Sequence, residues 1–286
     1  MSVSRRTVLA VMAGGVLAGC GTARNTAASA SPTPTATPSA ELTPSVAQPA
    51  VPTRADEVAR YGRLAPTKWG LDGVPGMVSR LPAGHRATAL TFDACGGRGG
   101  SEYDSGLIEC LRAHKVPATL FINSRWIDEN RATFDHLAAD PLFEIANHGT
   151  RHLPLSVSGR SAYGIPGTRS AGEVYDEVAG NREKLTKLLG HPPRYFRSGT
   201  AYCDDVAARI VSDLGERFIS FDVNGDGGAT FTPQQVHQAV LTARHGSIVI
   251  SHMNHPRGGT ARGYATAIPR LLESGHQFVR LSDALT

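Results

Sequence analysis

The chain has 286 residues, of which 41% are hydrophobic and 19% are charged, and its formal net charge is +4. The basic residues are scattered and are not interleaved with aromatic residues, which argues against nucleic acid as a partner. The length that follows an unusual N-terminal stretch matches a single α/β barrel domain, which is long enough to bury a sizeable core.

The N-terminus carries the features of an export signal. Arg5 and Arg6, a pair typical of twin-arginine signals, are followed by an apolar run that is too short to span a bilayer. Small residues then precede Cys20, a pattern similar to the lipobox of bacterial lipoproteins, in which the cysteine is lipidated. Residues 1–20 are therefore predicted to export the protein and to anchor it in the cell membrane through Cys20, facing the extracellular side or the cell wall. The alternative is a cleaved secretory signal with an incidental cysteine.

A segment dominated by Ala, Thr, Ser and Pro follows, over residues 21–55. Such a segment has too few large apolar side chains to bury a core. We predict that it is a disordered tether, which holds the following domain, residues 56–286, away from the membrane.

Short β-rich runs alternate with helical patterns along this domain. The predicted strands are Ala87–Phe92, Ala118–Ile122, Phe143–Ala146, Arg194–Arg197, Arg217–Phe221, Ser247–Ser251 and Gln277–Leu281. The predicted helices are Ser105–His114, Arg131–Ala139, Ala171–Leu189, Asp204–Leu214, Pro233–Arg244 and Tyr264–Ser274. Repeated strand–helix–strand units indicate a parallel sheet, and seven strands predict an α/β fold with a distorted (β/α)7 barrel.

Polar side chains follow the predicted strands at the points where the strands end. These side chains are Asp93, Asn123, His148, Arg197, Asp222 and His252. In a parallel barrel the C-terminal ends of the strands meet on one face, which carries the catalytic groups. We therefore expect a catalytic site on this face.

Four sequence blocks resemble signature blocks of the polysaccharide deacetylases, also called NodB-homology domains or carbohydrate esterase family 4. Leu90–Gly97 and Asn147–His152 resemble the first two blocks, and Arg194–Tyr202 and Gly246–His252 resemble two later ones. The resemblance covers the domain from about residue 86 to residue 285. It implies a NodB-type barrel and a hydrolase that removes N-acetyl groups from a cell-wall or extracellular amino-sugar polymer, such as peptidoglycan or a chitin-like glycan.

The resemblance also implies roles for individual residues. Asp93 matches the general base, and Arg197 matches the arginine that keeps this carboxylate ionised and oriented. His148 and His152, four residues apart and able to reach one ion, match histidines that bind a divalent metal, most commonly zinc. His252 matches the general acid that protonates the departing amine.

Other residues of the predicted site are less sharply defined. Asp222 and Asp226 are both candidates for the carboxylate that holds His252, as the family's fourth block does. Tyr202 in the third block and Asn123 at a strand end are predicted to contact the substrate glycan. We expect a monomer.

The chain departs from the family at the second aspartate of the first block, where it has Ala94. That aspartate is the third metal ligand in the family, and a methyl group cannot ligate a cation. Three alternatives follow: a weaker site made by the two histidines with waters, a replacement ligand from Cys95 or Asp104, or chemistry without a metal.

Three cysteines remain once Cys20 is assigned to the lipid, and three cannot all pair internally. Cys95 and Cys203 follow the first and third blocks on the same face, so a disulfide between them is one alternative. Cys110 lies on a helical pattern and is predicted to be a small buried hydrophobe. A thiol nucleophile at Cys95 is disfavoured, because no histidine is adjacent to it in the sequence.

Two further functions are compatible with the missing aspartate. One is a tethered glycan-binding protein without catalytic activity. The other is a metal-independent carbon–nitrogen hydrolase that acts on a non-sugar amide.

Overall fold

The structure, a computed structural model, describes residues 51–285. The predicted signal, Cys20 and residues 21–50 of the predicted tether lie outside the described residues. Between residues 51 and 285, no helix is long and apolar enough to cross a membrane. The first helix begins at Arg54, after Thr53 caps it by accepting a hydrogen bond from the backbone of Asp56. The first helix therefore begins slightly before residue 56, the predicted domain boundary.

The described residues alternate between strands and helices. The strands are β1 (Trp69–Gly70), β2 (Met77–Val78), β3 (Ala87–Ala94), β4 (Ala118–Ile122), β5 (Phe143–Asn147), β6 (Tyr195–Phe196), β7 (Cys203–Asp204), β8 (Arg217–Ile219), β9 (Val223–Asn224), β10 (Ile248–His252) and β11 (Gln277–Val279). The helices are α1 (Arg54–Tyr61), α2 (Ser105–Ala113), α3 (Ser124–Glu129), α4 (Arg131–Ala138), α5 (Ala171–Leu189), α6 (Asp205–Asp213), α7 (Pro233–Leu241), α8 (Thr260–Glu273) and α9 (Leu281–Ala284).

The strands form one main sheet in the order β2-β8-β6-β5-β4-β3-β10-β9, with β11 also paired to β3. Every pairing in this sheet is parallel. The two end strands are not paired with each other, so the sheet is an open, distorted (β/α) barrel of the predicted NodB type. All seven predicted strands are present, and the four unpredicted ones, β1, β2, β7 and β9, have two residues each.

The central strand β3 is buried along its whole length because both faces of the sheet are covered. Leu90, Phe92 and Ala94 pack in the larger apolar cluster, whereas Ala89 belongs to a smaller cluster. Side chains of a strand alternate between its two faces, so Asp93 shares the face of Ala89. This alternation directs the carboxylate away from the larger cluster.

The register of the sheet brings the strand ends together. His252 at the end of β10 lies opposite Asp93 on β3, and Ile122 at the end of β4 lies opposite Asn147 on β5. Asn147 is in turn paired with Phe196, the last residue of β6. The loops that leave β3, β5, β6 and β10 therefore start side by side, as a parallel barrel requires.

Candidate active site and metal centre

A buried ion pair lies at the centre of this face. Arg197 donates from Nη1 to Oδ1 of Asp93 at 2.7 Å and from Nη2 to the hydroxyl of Thr91 at 2.9 Å. The same guanidinium lies 4.1 Å from the ring centre of Phe121. Burial lowers the pKa of Arg197 and the Asp93 carboxylate opposes this effect. The guanidinium fixes one oxygen of Asp93, and Oδ2 stays available to a reactant.

His252 and Asp226 form a second pair at the end of β10. The Nδ1 atom of His252 lies 3.0 Å from Oδ1 of Asp226, and the His252 backbone N–H donates to Oδ2 at 2.7 Å. Thr260 donates a further hydrogen bond to Asp226. Burial alone would lower the pKa of His252, but the Asp226 carboxylate raises it well above the ordinary value. The pair therefore favours the protonated imidazole, with Nε2 as the ring nitrogen that does not contact Asp226.

His148 is oriented by the backbone at the end of β6. Its Nδ1 atom lies 3.0 Å from the carbonyl oxygen of Arg197, so Nδ1 carries the proton and Nε2 carries a lone pair. This Nε2 atom lies 3.6 Å from Oδ2 of Asp93 and 3.9 Å from Sγ of Cys95. Metal-binding histidines are held in this way, by a carbonyl on the nitrogen that does not bind the ion.

Cys95, His148 and His152 form a group whose ligand atoms all lie within 4.8 Å of one another. Zinc bonds to sulfur and nitrogen at a tetrahedral angle would place the two atoms about 3.6 Å apart, close to the separation of Cys95 and His148. Nε2 of His152 is buried without a hydrogen-bond partner. The three side chains therefore fit a metal ion, and Cys95 provides a ligand that Ala94 cannot.

The Cys95 thiol lies in a basic environment. Burial alone would raise its pKa, but His152, His148 and His252 lower it well below the ordinary value. The thiolate is the form of cysteine that binds metals. In the folded chain, three histidines that are distant from Cys95 in the sequence therefore lie close to its thiol.

A buried carboxylate on α5 holds the loop that carries His152. Glu177 accepts hydrogen bonds from the backbone N–H groups of Arg151 at 3.0 Å, His152 at 2.8 Å and Leu153 at 3.2 Å. His152 has a φ of +66°, which is unusual for a residue other than glycine. An ideal Cβ on Gly149 would lie 2.5 Å from the Glu177 carboxylate, so only glycine fits at that position. Glu177 thus fixes a strained loop in the conformation that brings His152 to the group.

Asp93 and His252 also line a cleft of about 490 Å³. Its other walls are apolar side chains, small residues and polar groups. They are Tyr163, Ile165, Gly199, Thr200, Phe221, Asn224, Gly227, Gly228, Thr230 and Ile250. The volume suits a small-molecule or sugar ligand.

Two of the predicted site residues lie elsewhere. The Asp222 carboxylate binds Arg80 and accepts a hydrogen bond from the backbone of Ile248 at 2.8 Å, at the start of β10 rather than beside His252. Asn123 is fully buried, donates to the carbonyls of His148 and Gly149, and caps α3. The structure therefore places Asp222 away from His252 and Asn123 outside the residues that line the cleft, so neither lies where its predicted role requires. Of the two aspartates considered, Asp226 is the one that holds His252.

The structure also gives the positions of Tyr202, Asp104 and the cysteines, for which the sequence made predictions. Tyr202 is half-buried and lies edge-on to Tyr163 at the cleft. Asp104 caps α2 and is not a member of the group that could hold a metal ion, whereas Cys95 is. The disulfide alternative is wrong, since Cys95 and Cys203 are both free and Cys203 is buried in an apolar cluster. Cys110 is half-buried against the core rather than fully buried.

Sequence reasoning missed Glu177 and Tyr163. Glu177 is one acidic residue among several on an amphipathic helix, and only its burial sets it apart. Tyr163 is followed by Gly164, a turn signal that was available in the sequence.

Comparisons with known proteins agree with this geometry. A sequence model described as polysaccharide deacetylase matches residues 81–219. A curated relative, the uncharacterized protein YlxY of Bacillus subtilis, is 21% identical over 186 residues. That match covers 65% of this chain and 54% of the relative, so the chain spans about half the length of the relative.

Solved structures with the same fold include both enzymes and a pseudoenzyme. A CE4 family pseudoenzyme from Bacillus anthracis has a TM-score of 0.62 and 24% identity, over 74% of this chain and 69% of that one. A mutant of that pseudoenzyme with restored enzymatic activity is 25% identical, with the same TM-score, over 74% of this chain and 72% of that one. The family 4 carbohydrate esterase PdaA of Bacillus subtilis is 17% identical with a TM-score of 0.59, over 81% of this chain and 88% of that one.

The matched segment contains Asp93, both histidines of the metal-ligating group and Arg197. Its strands form the NodB-type sheet, and His252 and Asp226 complete the site beyond it. Residues 81–219, close to half of the chain, therefore belong to the polysaccharide deacetylase family.

Proposed function

We propose that the protein is a metal-assisted hydrolase that removes N-acetyl groups from a cell-wall or extracellular amino-sugar polymer. The observation that carries the proposal is the position of Cys95, His148 and His152 between two acid–base pairs, Asp93 with Arg197 and His252 with Asp226. A binding protein has no need of both pairs. The bond that is cleaved is the carbon–nitrogen bond of the acetamide.

Peptidoglycan and chitin-like glycans are the substrates that we favour. One of the similar solved structures is a peptidoglycan N-acetylglucosamine deacetylase, at 19% identity and a TM-score of 0.61 over 73% of this chain. The mixed apolar and polar walls of the cleft suit a sugar ring, which has hydroxyl groups at its edge and C–H groups on its faces.

The residues of the chain divide the proton transfers between them. Oδ2 of Asp93 accepts a proton from water, and the resulting hydroxyl group adds to the acetamide carbonyl carbon. His252, kept protonated by Asp226, donates a proton to the nitrogen as the carbon–nitrogen bond breaks. Acetate and a free amino sugar leave, Asp93 releases its proton to solvent, and His252 takes up a proton from solvent, which restores both residues. Arg197 holds Asp93 in place throughout by its hydrogen bond to Oδ1.

Cys95, His148 and His152 would hold the divalent cation. When bound, such an ion supplies Lewis acidity to the carbonyl and lowers the pKa of water. A ligand set of one thiolate and two imidazoles favours zinc over the oxygen-preferring magnesium and calcium. Zinc is therefore the ion that we propose.

The test is cobalt substitution of the purified protein and of two cysteine variants. We expect the cobalt form to show a thiolate-to-cobalt charge-transfer band, which Cys95→Ser abolishes and Cys110→Ser leaves unchanged. Cys110 is a matched control because it lies on α2, outside the metal-ligating group. A cobalt band that survives Cys95→Ser would contradict the ligand assignment.

Activity is measured on the same samples as acetate release from chitotetraose and from peptidoglycan, with and without a chelator. Chelator-sensitive release supports the proposed function, and Asp93→Asn should abolish it. Release that persists without metal would favour the metal-independent carbon–nitrogen hydrolase instead.

The second candidate is a glycan-binding protein without catalytic activity. Similarity to the pseudoenzyme of Bacillus anthracis is the observation that favours it. Chitotetraose or peptidoglycan binding by the metal-loaded protein, with no acetate release, would support this candidate and overturn the deacetylase.

We also propose that the domain works outside the cell, anchored to the membrane through a lipid on Cys20. The lipobox-like residues before Cys20 and the tether that follows support this location. Membrane fractionation of cells that express the protein and a Cys20→Ala variant tests it, since the variant should leave the membrane fraction.

A further inference from the structure

Tyr163 has the most exposed large hydrophobic side chain in the described part of the chain, with 73% of its surface accessible. It nevertheless lines the same cleft as Asp93 and His252. An exposed aromatic ring at the edge of a catalytic cleft provides an apolar surface beside the reacting groups.

The backbone around Tyr163 is unusual. Tyr163 has a φ of +52° and Gly164 a φ of +76°, and Ala162 and Ile165 form a two-bond antiparallel bridge around them. Two successive positive φ values are the pattern of a type I′ turn, which favours Asn-Gly. A bulky side chain at such a position costs about 1–3 kcal/mol. The chain thus has a tyrosine where an asparagine would be more stable.

Hydrogen bonds fix the base of the loop that carries Tyr163, so the position of the Tyr163 ring is defined. Thr168 and Ser156 bond to each other across the loop through two hydrogen bonds of 2.7 and 2.6 Å. Asp204 accepts a hydrogen bond from the backbone of Val157 at 2.8 Å. These bonds close the loop on the edge of the barrel.

The ring of Tyr163 also has an aromatic neighbour. Tyr202 lies edge-on to it, with ring centres 5.5 Å apart, and the ring centre of Trp69 lies 5.5 Å from that of Tyr202. Edge-to-face contacts orient an aromatic ring without covering its face. The face of Tyr163 is therefore left available to a ligand in the cleft.

We propose that Tyr163 is a carbohydrate-binding subsite, which stacks against the sugar ring next to the one whose N-acetyl group is cleaved. The proposal rests on the proposed function, because it takes the glycan chain to be the ligand. The C–H face of a pyranose ring packs on an aromatic ring, and the hydroxyl groups at the ring edge stay free for polar contacts. The subsite selects oligosaccharides over single sugars.

The test compares two substitutions that separate the ring from the backbone. Tyr163→Phe keeps the ring, whereas Tyr163→Asn removes it and produces the Asn-Gly pair that the turn favours. We expect Tyr163→Asn to keep or raise Tm and to weaken chitotetraose binding by about five- to tenfold. Tyr163→Phe should bind as the wild type does.

Binding is measured by calorimetry in an Asp93→Asn background, so that the result does not depend on turnover. Acetate release by proteins with Asp93 intact is measured separately, and Tyr163→Asn should raise KM for chitotetraose with little change in kcat. If the wild type releases no acetate but binding still depends on the ring, the subsite stands and the proposed function fails. If chitotetraose binds equally well with and without the ring, or does not bind at all, the subsite is overturned.

Discussion

Cys95 lies one residue after the position where the family motif has its second aspartate. Ala94 packs in the larger apolar cluster with Phe92 and is fully buried, so its side chain does not face the site. The next residue brings a sulfur atom to within 3.9 Å of His148. The loss of the aspartate is thus matched by a thiol gained at the following position, which is why absence of the family residue alone does not imply an inactive protein.

Glu177 contributes to the same site by binding the backbone of the loop that carries His152. Glu177→Gln keeps one acceptor oxygen and replaces the other by an amide nitrogen, which cannot accept a hydrogen bond. The backbone N–H groups of Arg151 and His152, which donate to Oε2 and Oε1, then share a single acceptor. Because residues that position metal ligands contribute strongly to affinity, we expect zinc binding to weaken by about 10- to 100-fold. Competition with a zinc-binding dye measures this change. Glu183→Gln, on the exposed side of the same helix, is the control, and equal affinities for the two variants would contradict the assigned role.

In the proposed reaction, we expect the His252–Asp226 pair to set the alkaline limit of activity. Asp226 raises the pKa of His252, so the imidazolium persists to higher pH, and activity is lost as the pH rises through this raised pKa. Asp226→Asn removes the charge that raises the pKa. We therefore expect the alkaline limb of kcat/KM to move to lower pH.

The control for this measurement is Asp222→Asn, because the Asp222 carboxylate contacts Ile248 at the start of β10, at the opposite end of the strand from His252. The alkaline limb should keep its position in this variant. A limb that stays in place in Asp226→Asn would show that another group titrates there.

At the scale of elements, the packing of α7 on α8 depends on one close approach. An ideal Cβ on Gly263 would lie 2.4 Å from Cβ of Val236 and 2.8 Å from the carbonyl oxygen of Pro233. Gly263→Ala should therefore force the two helices apart and lower the free energy of unfolding by about 1–3 kcal/mol. Chemical denaturation measures this loss.

The matched control is Gly106→Ala on α2. An ideal Cβ there would lie 3.4 Å from Asp104 and 3.7 Å from Ala261, which are ordinary contacts. Alanine also has the lower entropic cost in a helix, so stability should be unchanged or rise by up to about 1 kcal/mol. Equal losses in the two variants would show that the close approach is not what matters.

The long and strongly patterned elements were predictable from the sequence, and most of the short ones, with the exception of β6, β8 and β11, were not. The predicted bounds of β4 and α5 match those observed, because β4 is a continuous apolar run and α5 shows a long helical period. α3 is six residues long and the two-residue strands exist only through their partners. Short elements of this kind carry no periodicity in the sequence.

The residues of the site were likewise predictable only where a local sequence pattern marks them. Asp93 and His252 end apolar strands, so their position could be inferred from the chain itself. The roles of Asp226 and Glu177 depend on contacts between segments about 25 residues apart, which no local pattern encodes. The capping role of Asn123 was mistaken for substrate contact, since a polar residue at the end of a strand also begins the next helix.

At the scale of the whole molecule, the metal-ligating group joins distant parts of the sheet. Cys95 follows β3, whereas His148 and His152 follow β5, and β4 lies between these two strands. The unfolded chain does not hold the three side chains together. An ion bound to all three therefore stabilises the folded state by mass action.

This linkage predicts the effect of metal on thermal stability. At a free zinc concentration 100 times the dissociation constant, binding adds about 2.7 kcal/mol, which for a domain of this size raises Tm by about 5–10 °C. A chelator should reverse the shift in the wild-type protein. In Cys95→Ala the shift should be much smaller, because one of the three ligands is lost, whereas Cys110→Ser should behave as the wild type does. Differential scanning calorimetry makes the comparison, and a full zinc-dependent shift in Cys95→Ala would show that the ion is held without the thiolate.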